Sequence, residues 1–228
     1  MEFLSESLRA ALAMVLAADR EVVHAVWTSV YTSGCAIVLA ALIGIPAGTG
    51  LGLGRFAGRR AAVTGLNTLM ALPTVVIGLV LYGLLSRQGP LGAWGLLFTP
   101  AAMIVGQTVL AAPIVANYTL AAVAGADPRI MTTALTLGAG RFRAVWQLLL
   151  EIRFGIIAAV VAGFGRVIAE VGVAMMLGGN IRGYTRTMTT AIALETSKGE
   201  FAFGLALGIV LMAVALVVNL FLNLLQQR

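Results

Sequence analysis

Arg166 and Glu170 stand four residues apart in AGFGRVIAEVGVAMMLGGN, a stretch otherwise apolar enough to lie in a bilayer. On a helix that spacing places the two side chains on one face, one turn apart. An ionisable group inside a membrane helix costs about 2.5–3.5 kcal/mol on insertion scales, so the two are expected to face the protein interior and to pair. Two roles are open. The pair can be structural, fixing the rotation of its helix, or it can flank a translocation path, where Arg166 supplies positive potential to an anion while Glu170 holds it in place. Downstream comes GGNIRGYTRTMTTAIALETSKGEF, which is too polar to face lipid. Residues 187–196 can form a short helix dipping partly into the membrane behind Gly178, Gly179 and Asn180. Thr185, Thr187, Thr189 and Thr190 bring hydroxyls, and Arg186 a cation, to the start of that helix. A helix N-terminus with such donors suits a tetrahedral oxyanion. The same hydroxyls can instead cap the helix and satisfy a re-entrant backbone. As a set, Asn180, Thr187, Thr189 and Thr190 mark a gate region.

A second polar island, DPRIMTTALTLGAGRFRAVWQLLLEIR over 127–153, interrupts the apolar chain at its centre. It reads as two short helices joined at Gly138-Ala139-Gly140. Asp127 can cap the first, with Pro128 at the first helical position, where its missing N–H costs nothing. Arg141 and Arg143 open the second, whose Phe142, Val145, Trp146, Leu149 and Leu150 form an apolar stripe at helical spacing. Such a segment is either an amphipathic linker on the bilayer surface or a dock for a soluble partner.

These islands must be positioned by membrane helices. The chain is 60% hydrophobic and 11% charged, with a mean hydropathy of +1.00, and a soluble domain carries roughly twice that charged share. The composition therefore describes an all-α integral membrane protein. A pI near 10.4 is no nucleic-acid signal, because aromatic residues are few and the arginines scatter to helix ends. Cys35 is the lone cysteine and makes no internal disulfide. The acidic start MEFLSESL lacks the Lys or Arg of a signal peptide, so no cleavage is expected.

A spanning helix needs about 20 mainly apolar residues, and five segments qualify: 23–52, 61–85, 96–123, 154–177 and 201–225. Residues 3–18 are apolar but short and closely flanked by charge, so 1–21 is expected to form an interfacial helix ahead of a single domain over 22–228. A tilted sixth span is the alternative. Glycine and proline are dense inside the spans: small residues let helices approach closely in lipid, and prolines such as Pro46, Pro73 and Pro113 kink them where neighbours satisfy the freed carbonyls.

Orientation follows the positive charge. Arg55, Arg59, Arg60, Arg129, Arg141, Arg143, Arg153 and Arg228 fall on one side, against only Asp127 and Glu151. Arg9, Arg20, Arg87, Arg182, Arg186 and Lys198 fall on the other, balanced by Glu2, Glu6, Asp19, Glu21, Glu195 and Glu200. The arginine-rich side is expected to be cytoplasmic, which puts the N-terminus outside and the C-terminus inside.

Thr132-Thr133-Ala134, then Gly138, then Leu148-Leu149-Leu150 resembles the EAA loop of bacterial ABC importer permeases, in which a Glu-Ala-Ala triplet precedes a glycine by fixed spacing. Thr132 and Thr133 here replace Glu-Ala, and Leu150-Glu151 replaces a common Leu-Pro. GRVIAEVGVAMMLGGNIRGYTRTMTTAIALETSKGEFAFGLALGIVL is similar to the matching region of bacterial tungstate permeases of this kind, whose relatives carry molybdate or sulfate. The resemblance implies a type I ABC importer fold, a permease homodimer and a periplasmic oxyanion-binding protein. It also implies two cytoplasmic ATPase subunits docked at Thr132, Thr133, Ala134, Gly138, Ala139, Gly140 and Arg141. The transported species would be tungstate, with molybdate or sulfate as alternatives. ATP and Mg would sit on the partner ATPase, and no cofactor is expected on this chain.

The residues carry three further tests. The chain contains no GxxxxGK[ST] phosphate loop, so it is not an ATPase by itself. A gradient-driven secondary transporter predicts inverted repeats and coupling carboxylates within the membrane, whereas Glu170 is the only acid well inside a predicted span. An intramembrane hydrolase lacks a nucleophile and base in one place, since His24, the only histidine, lies at the end of the first span.

Overall fold

The computed structural model of the protein describes residues 2–226, with backbone alone at 2–5, 219, 221–223 and 225–226. Arg228, one of the arginines counted above, lies outside the described residues. Among the described residues the chain is helical: α1 (Glu2–Leu16), α2 (Arg20–Leu53), α3 (Arg59–Ala71), α4 (Thr74–Leu85), α5 (Pro100–Ala124), α6 (Arg129–Thr136), α7 (Arg141–Glu151), α8 (Arg153–Ile168), α9 (Gly172–Gly178), α10 (Met188–Lys198) and α11 (Phe201–Gln226), with a short 3₁₀ turn at Gly92–Trp94.

The centre of the fold is the pairing of α2 with α5. Gly44, Gly48 and Gly52 lie on one ridge of α2, four residues apart. A Cβ on Gly44 would fall 2.9 Å from the Ala112 carbonyl oxygen, one on Gly48 2.3 Å from that of Ala116, and one on Gly52 2.6 Å from Val123 Cγ1. Rising numbers meet rising numbers, so the two helices run parallel. Backbones approach this closely only where the side chain is absent. Two parallel neighbours require a return path, which α3 and α4 supply. α8 packs antiparallel on α5, with Gly155 on Ala122 and Gly163 on Val115 and Ala111.

Three of the five expected spans are continuous: α2, α5 and residues Phe201–Val218 of α11 are long and apolar enough to cross a membrane alone. Five cross if the bent pairs α3/α4 and α7/α8 each count as one. The span expected over 61–85 is therefore corrected: it turns by 95° between α3 and α4. The cause is local. Pro73 disfavours the helical region for the residue before it, and Leu72 sits at φ −64°, ψ 136°. Pro46 and Pro113, by contrast, stand inside unbroken helices. The span expected over 154–177 is also two pieces, α8 and α9, parted at residues 169–171. The third span begins at Pro100 rather than 96, because Phe98 turns back with φ 63° and donates its N–H to the Leu177 carbonyl at 2.8 Å.

The N-terminal helix ends at Leu16, and Asp19 starts α2 by accepting from the N–H groups of Glu21 (2.9 Å) and Val22 (3.3 Å). The change of direction falls at Ala18, φ 49°. α1 packs on α11, burying Ser7 and Ala11.

The ridge makes a direct prediction. Gly48→Leu forces α2 off α5 at an overpacking cost of about 1–3 kcal/mol or more and should sharply reduce the yield of monodisperse protein on size-exclusion chromatography. Gly50→Ala, where nothing lies within 4 Å of the added carbon, should keep the wild-type yield. Equal yields from the two variants would contradict the assignment.

Candidate functional site

At the break between α8 and α9 the backbone leaves helical geometry, and Glu170 holds the gap together. Its Oε2 accepts from Arg166 Nη1 at 2.8 Å, while its Oε1 accepts from the N–H groups of Gly172 (2.8 Å) and Val173 (3.3 Å). The carboxylate thus caps the first turn of α9, where free N–H groups and the helix dipole favour negative charge. The side chain of Glu170 is 3% exposed and that of Arg166 is 46% exposed. The expected pair therefore forms, but only its acid is interior. Arg166 lies on the surface of the chain, next in sequence to Gly165, which with Ala169 lines an apolar groove of about 360 Å³ between α8 and α11.

The Glu170 carbonyl accepts from Thr189 Oγ1 at 2.7 Å, which ties the break to α10. Thr187 is the N-cap of α10, and Thr187 and Thr190 form a reciprocal capping box in which each side chain accepts from the other's backbone N–H. Thr189 Oγ1 also lies 3.1 Å from Thr187 Oγ1. All three residues are buried. Their hydroxyls are engaged within the chain, so an anion would have to displace existing bonds to reach them. Thr185 donates to the Gly178 carbonyl and accepts from the Ile181 N–H. Asn180 adopts φ 50° and donates to the Thr190 carbonyl at 3.3 Å, fastening the turn after α9 to α10.

Arg186, read above as a cation available to an anion, is held between Glu21 (2.8 Å) and Glu195 (3.2 Å). Arg182 also pairs with Glu21 at 2.5 Å, and Lys198 with Glu195 at 3.2 Å. Met188 donates its N–H to Ser29 Oγ at 2.8 Å, clamping the start of α10 to α2. Apart from Glu195 and Lys198, three residues apart, these partners are separated by 9 to 165 positions. Sequence spacing gave no signal for them beyond the clustering of charge.

The central polar segment lies beyond the C-terminal end of α5, toward the end of the bundle opposite Glu21. At 1.5 Å per residue the 34 residues of α2 separate those ends by about 50 Å. Asp127 accepts from the Arg129 N–H at 2.8 Å and so starts α6, as its type suggests. α6 ends with Gly138 at φ 84°, the Gly138 N–H on the Leu135 carbonyl and the Ala139 N–H on the Ala134 carbonyl, an αL helix stop of the Schellman kind. Thr132 Oγ1 donates back to the carbonyls of Pro128 and Arg129, so it is turned onto its own helix. Gly140 then caps α7, which opens with Arg141. A cleft of about 640 Å³ runs between α6 and α7, lined by Thr133, Ala134, Ala139, Arg143 and Gln147 among others. Of the predicted stripe, Val145 and Leu149 are half-buried, whereas Phe142 (83% exposed) and Trp146 (56%) stand free, as does Leu137 at 83%. Large apolar groups beside exposed arginines are the composition of a protein-binding surface.

Helices of membrane length around a broken, charge-capped segment, with an exposed helix pair at one end, define a polytopic helical membrane protein. The chain belongs to the binding-protein-dependent transport system inner membrane component family, whose model matches residues 40–228. Across its whole length it is 37% identical to the tungstate uptake system permease protein TupB of Peptoclostridium acidaminophilum, covering 100% of both chains. It is 40% identical to TupB of Campylobacter jejuni over 96% of this chain and 92% of that one. Its fold matches the MetNI methionine ABC transporter at a TM-score of 0.75 and 18% identity, covering 90% of this chain and 94% of that one. The protein is thus a multi-pass inner-membrane permease with the transmembrane fold of ABC importers, and permease subunits of this class are not themselves enzymes.

Glu170 serves both Arg166 and α9, so the two members of the pair should differ in cost. Glu170→Gln should lower folded yield more than Arg166→Met, and the double variant should recover part of the loss, with an interaction of about 0.5–3 kcal/mol in a cycle on detergent-extracted protein. Purely additive effects would show that the ion pair contributes nothing to the break.

Proposed function

We propose that this chain is the transmembrane subunit of an ATP-driven importer that carries tungstate across the inner membrane. The carrying observation is its similarity over its full length to tungstate uptake permeases from two distant bacteria. Two copies would enclose the path. The half-exposed Arg166 and the small-residue surface beside it support this arrangement, since a charge at that depth needs a protein or water neighbour rather than lipid. Two ATPase subunits, with their ATP and Mg, would seat on α6 and α7, with Thr132, Thr133, Ala134, Gly138, Ala139, Gly140 and Arg141 at or near the contact. A binding protein would deliver the oxyanion at the opposite end, near Asn180, Thr187, Thr189 and Thr190, whose interlocked bonds would make that end a rigid rim of the gate. Arg166 and Glu170 would border the path between. The arginine-rich α6–α7 end would then be cytoplasmic and the N-terminus outside. Molybdate and sulfate are the competing substrates, since tungstate and molybdate are dianions of nearly equal size and discrimination would fall mainly to the binding protein.

The test is uptake by proteoliposomes containing the permease, its ATPase and its binding protein. Radiolabelled tungstate should accumulate with ATP, and molybdate only at higher concentration. Equal uptake of sulfate would overturn the substrate assignment. The coupling role has its own test. Gly138→Val places a β-branched residue at φ 84° and should abolish substrate-stimulated ATP hydrolysis in an inserted complex, whereas Gly138→Asn, which tolerates that conformation, should retain much of it. Normal stimulation in the valine variant would remove α6–α7 from the coupling path.

A further inference from the structure

α3, the first half of the bent α3/α4 pair, has a sequence and surroundings that disagree with a lipid-facing span. Its RRAAVTGLNTLMA buries no residue. Arg60, Thr64, Asn67 and Thr68 recur at i, i+4, i+7 and i+8, which is one helical face, and all four are exposed. Val63 and Leu66, which border this face on the Asn67 side, are half-buried against the rest of the chain. Asn67 is hydrogen-bonded to Asn117 of α5, whose amide also lies 3.0 Å from Met70 Sδ. Whichever way the two amides are turned, one NH₂ group and one carbonyl of the pair are left without a partner among the described residues. Thr68 Oγ1 donates only to the Thr64 carbonyl, one turn back.

The amide NH₂ and carbonyl left over from the Asn67–Asn117 pair would go uncompensated in hydrocarbon, so this face needs water or protein against it. Its position favours water. α3 leaves the loop after α2, where Arg55, Arg59 and Arg60 border a cavity of about 790 Å³. Arg59 Nε is fixed on the Leu51 carbonyl at 2.8 Å, while Arg55 and Arg60 are exposed and have no ion-pair partner among the described residues. Asn117 stands two turns from the end of α5, on the same side of the bundle as the α6–α7 dock. Uncompensated arginines at a mouth, followed inward by neutral N–H and O–H donors, suit a tetrahedral dianion that must be attracted yet released, because neutral donors hold it more weakly than paired charges would.

We propose that Arg60, Thr64, Asn67 and Thr68 of α3, together with Asn117 of α5, line the inner half of the oxyanion path. This rests on the importer reading above and adds a set of lining residues distinct from the Arg166–Glu170 region. The test uses the assembled complex in inside-out vesicles, with Cys35→Ser as background and single cysteines at Thr64, Asn67, Thr68 and Asn117. An anionic methanethiosulfonate added from the cytoplasmic side should modify these positions. Because such an anion partitions poorly into lipid, the rate should exceed that at Leu79→Cys, on the apolar face of α4, by at least about tenfold. Tungstate should slow the reaction. Thr64 and Thr68 make only local bonds, so their variants keep the test open if Asn117→Cys does not fold.

Reaction only with a lipid-soluble maleimide would mean a lipid face and would overturn the proposal. So would disulfide crosslinking of Asn67→Cys between two permease copies without reaction with the anionic reagent, which would mean a subunit contact. Labelling is read without transport, so failure of the unsubstituted complex to import tungstate would count against the substrate alone.

Discussion

The close approach of α2 to α5 is the constraint on which the other helices depend. In lipid no hydrophobic force drives helices together, so contact has to come from packing, and packing at this distance has to come from glycine. The ridge Gly44, Gly48 and Gly52 accepts the backbone of α5 so closely that the next carbon at Gly48 would meet the Ala116 carbonyl oxygen at 2.3 Å. The same device recurs at weaker points, with Gly106 under Val173 and Leu177, Gly78 under Met176, and Gly163 under Ile37. Each glycine admits one neighbour, and together they place α4, α8 and α9 around the central pair. Because α2 and α5 run parallel, both start near the Glu21 end and both finish near the α6–α7 end, which separates two chemistries by the length of a helix.

At the Glu21 end, charge is neutralised. Glu21, Arg182, Arg186, Glu195 and Lys198 form a chain of ion pairs across α2, the loop after α9, and α10. Ser29 and the threonine capping box add hydrogen bonds to the same junction. Partly buried pairs of this kind add modestly to stability but fix geometry, because a removed partner leaves a charge uncompensated. At the α6–α7 end, by contrast, arginines and large apolar groups are exposed, as at Arg141, Phe142 and Trp146. One end of the bundle is tied together by its own ion pairs, and the other presents unpaired cations and apolar side chains among the described residues. The break at Glu170 lies between them, where a single carboxylate joins an exposed cation to the N-terminus of a short helix.

Much of this was legible in advance where a local rule decides. The apolar lengths of α2, α5 and α11, the Asp127 start of α6 and the Gly138 stop follow from residue type and short-range spacing. The Arg166–Glu170 pair follows from its four-residue separation. Thr187 was legible as the start of α10, but its hydroxyl was read as a possible donor to an anion, because sequence cannot show that Thr189 and Thr190 already occupy it. Pro73 gave a turning signal equal to that of Pro46 and Pro113. Only the first of the three breaks its helix: α2 and α5 pack on each other along their length, whereas α3 buries no residue.

By itself, then, the sequence determined that this is a helical membrane protein, which segments are apolar enough to span, and where the polar islands interrupt them, because hydropathy, capping and short-range pairing are properties of consecutive residues. The tertiary structure alone decided that Glu170 caps α9 while Arg166 lies at the surface. It alone brought Arg186 between Glu21 and Glu195, and Asn67 to Asn117. Those contacts depend on which helices the glycine ridges bring together, and no spacing along the chain encodes a meeting between residues 50 or 165 positions apart.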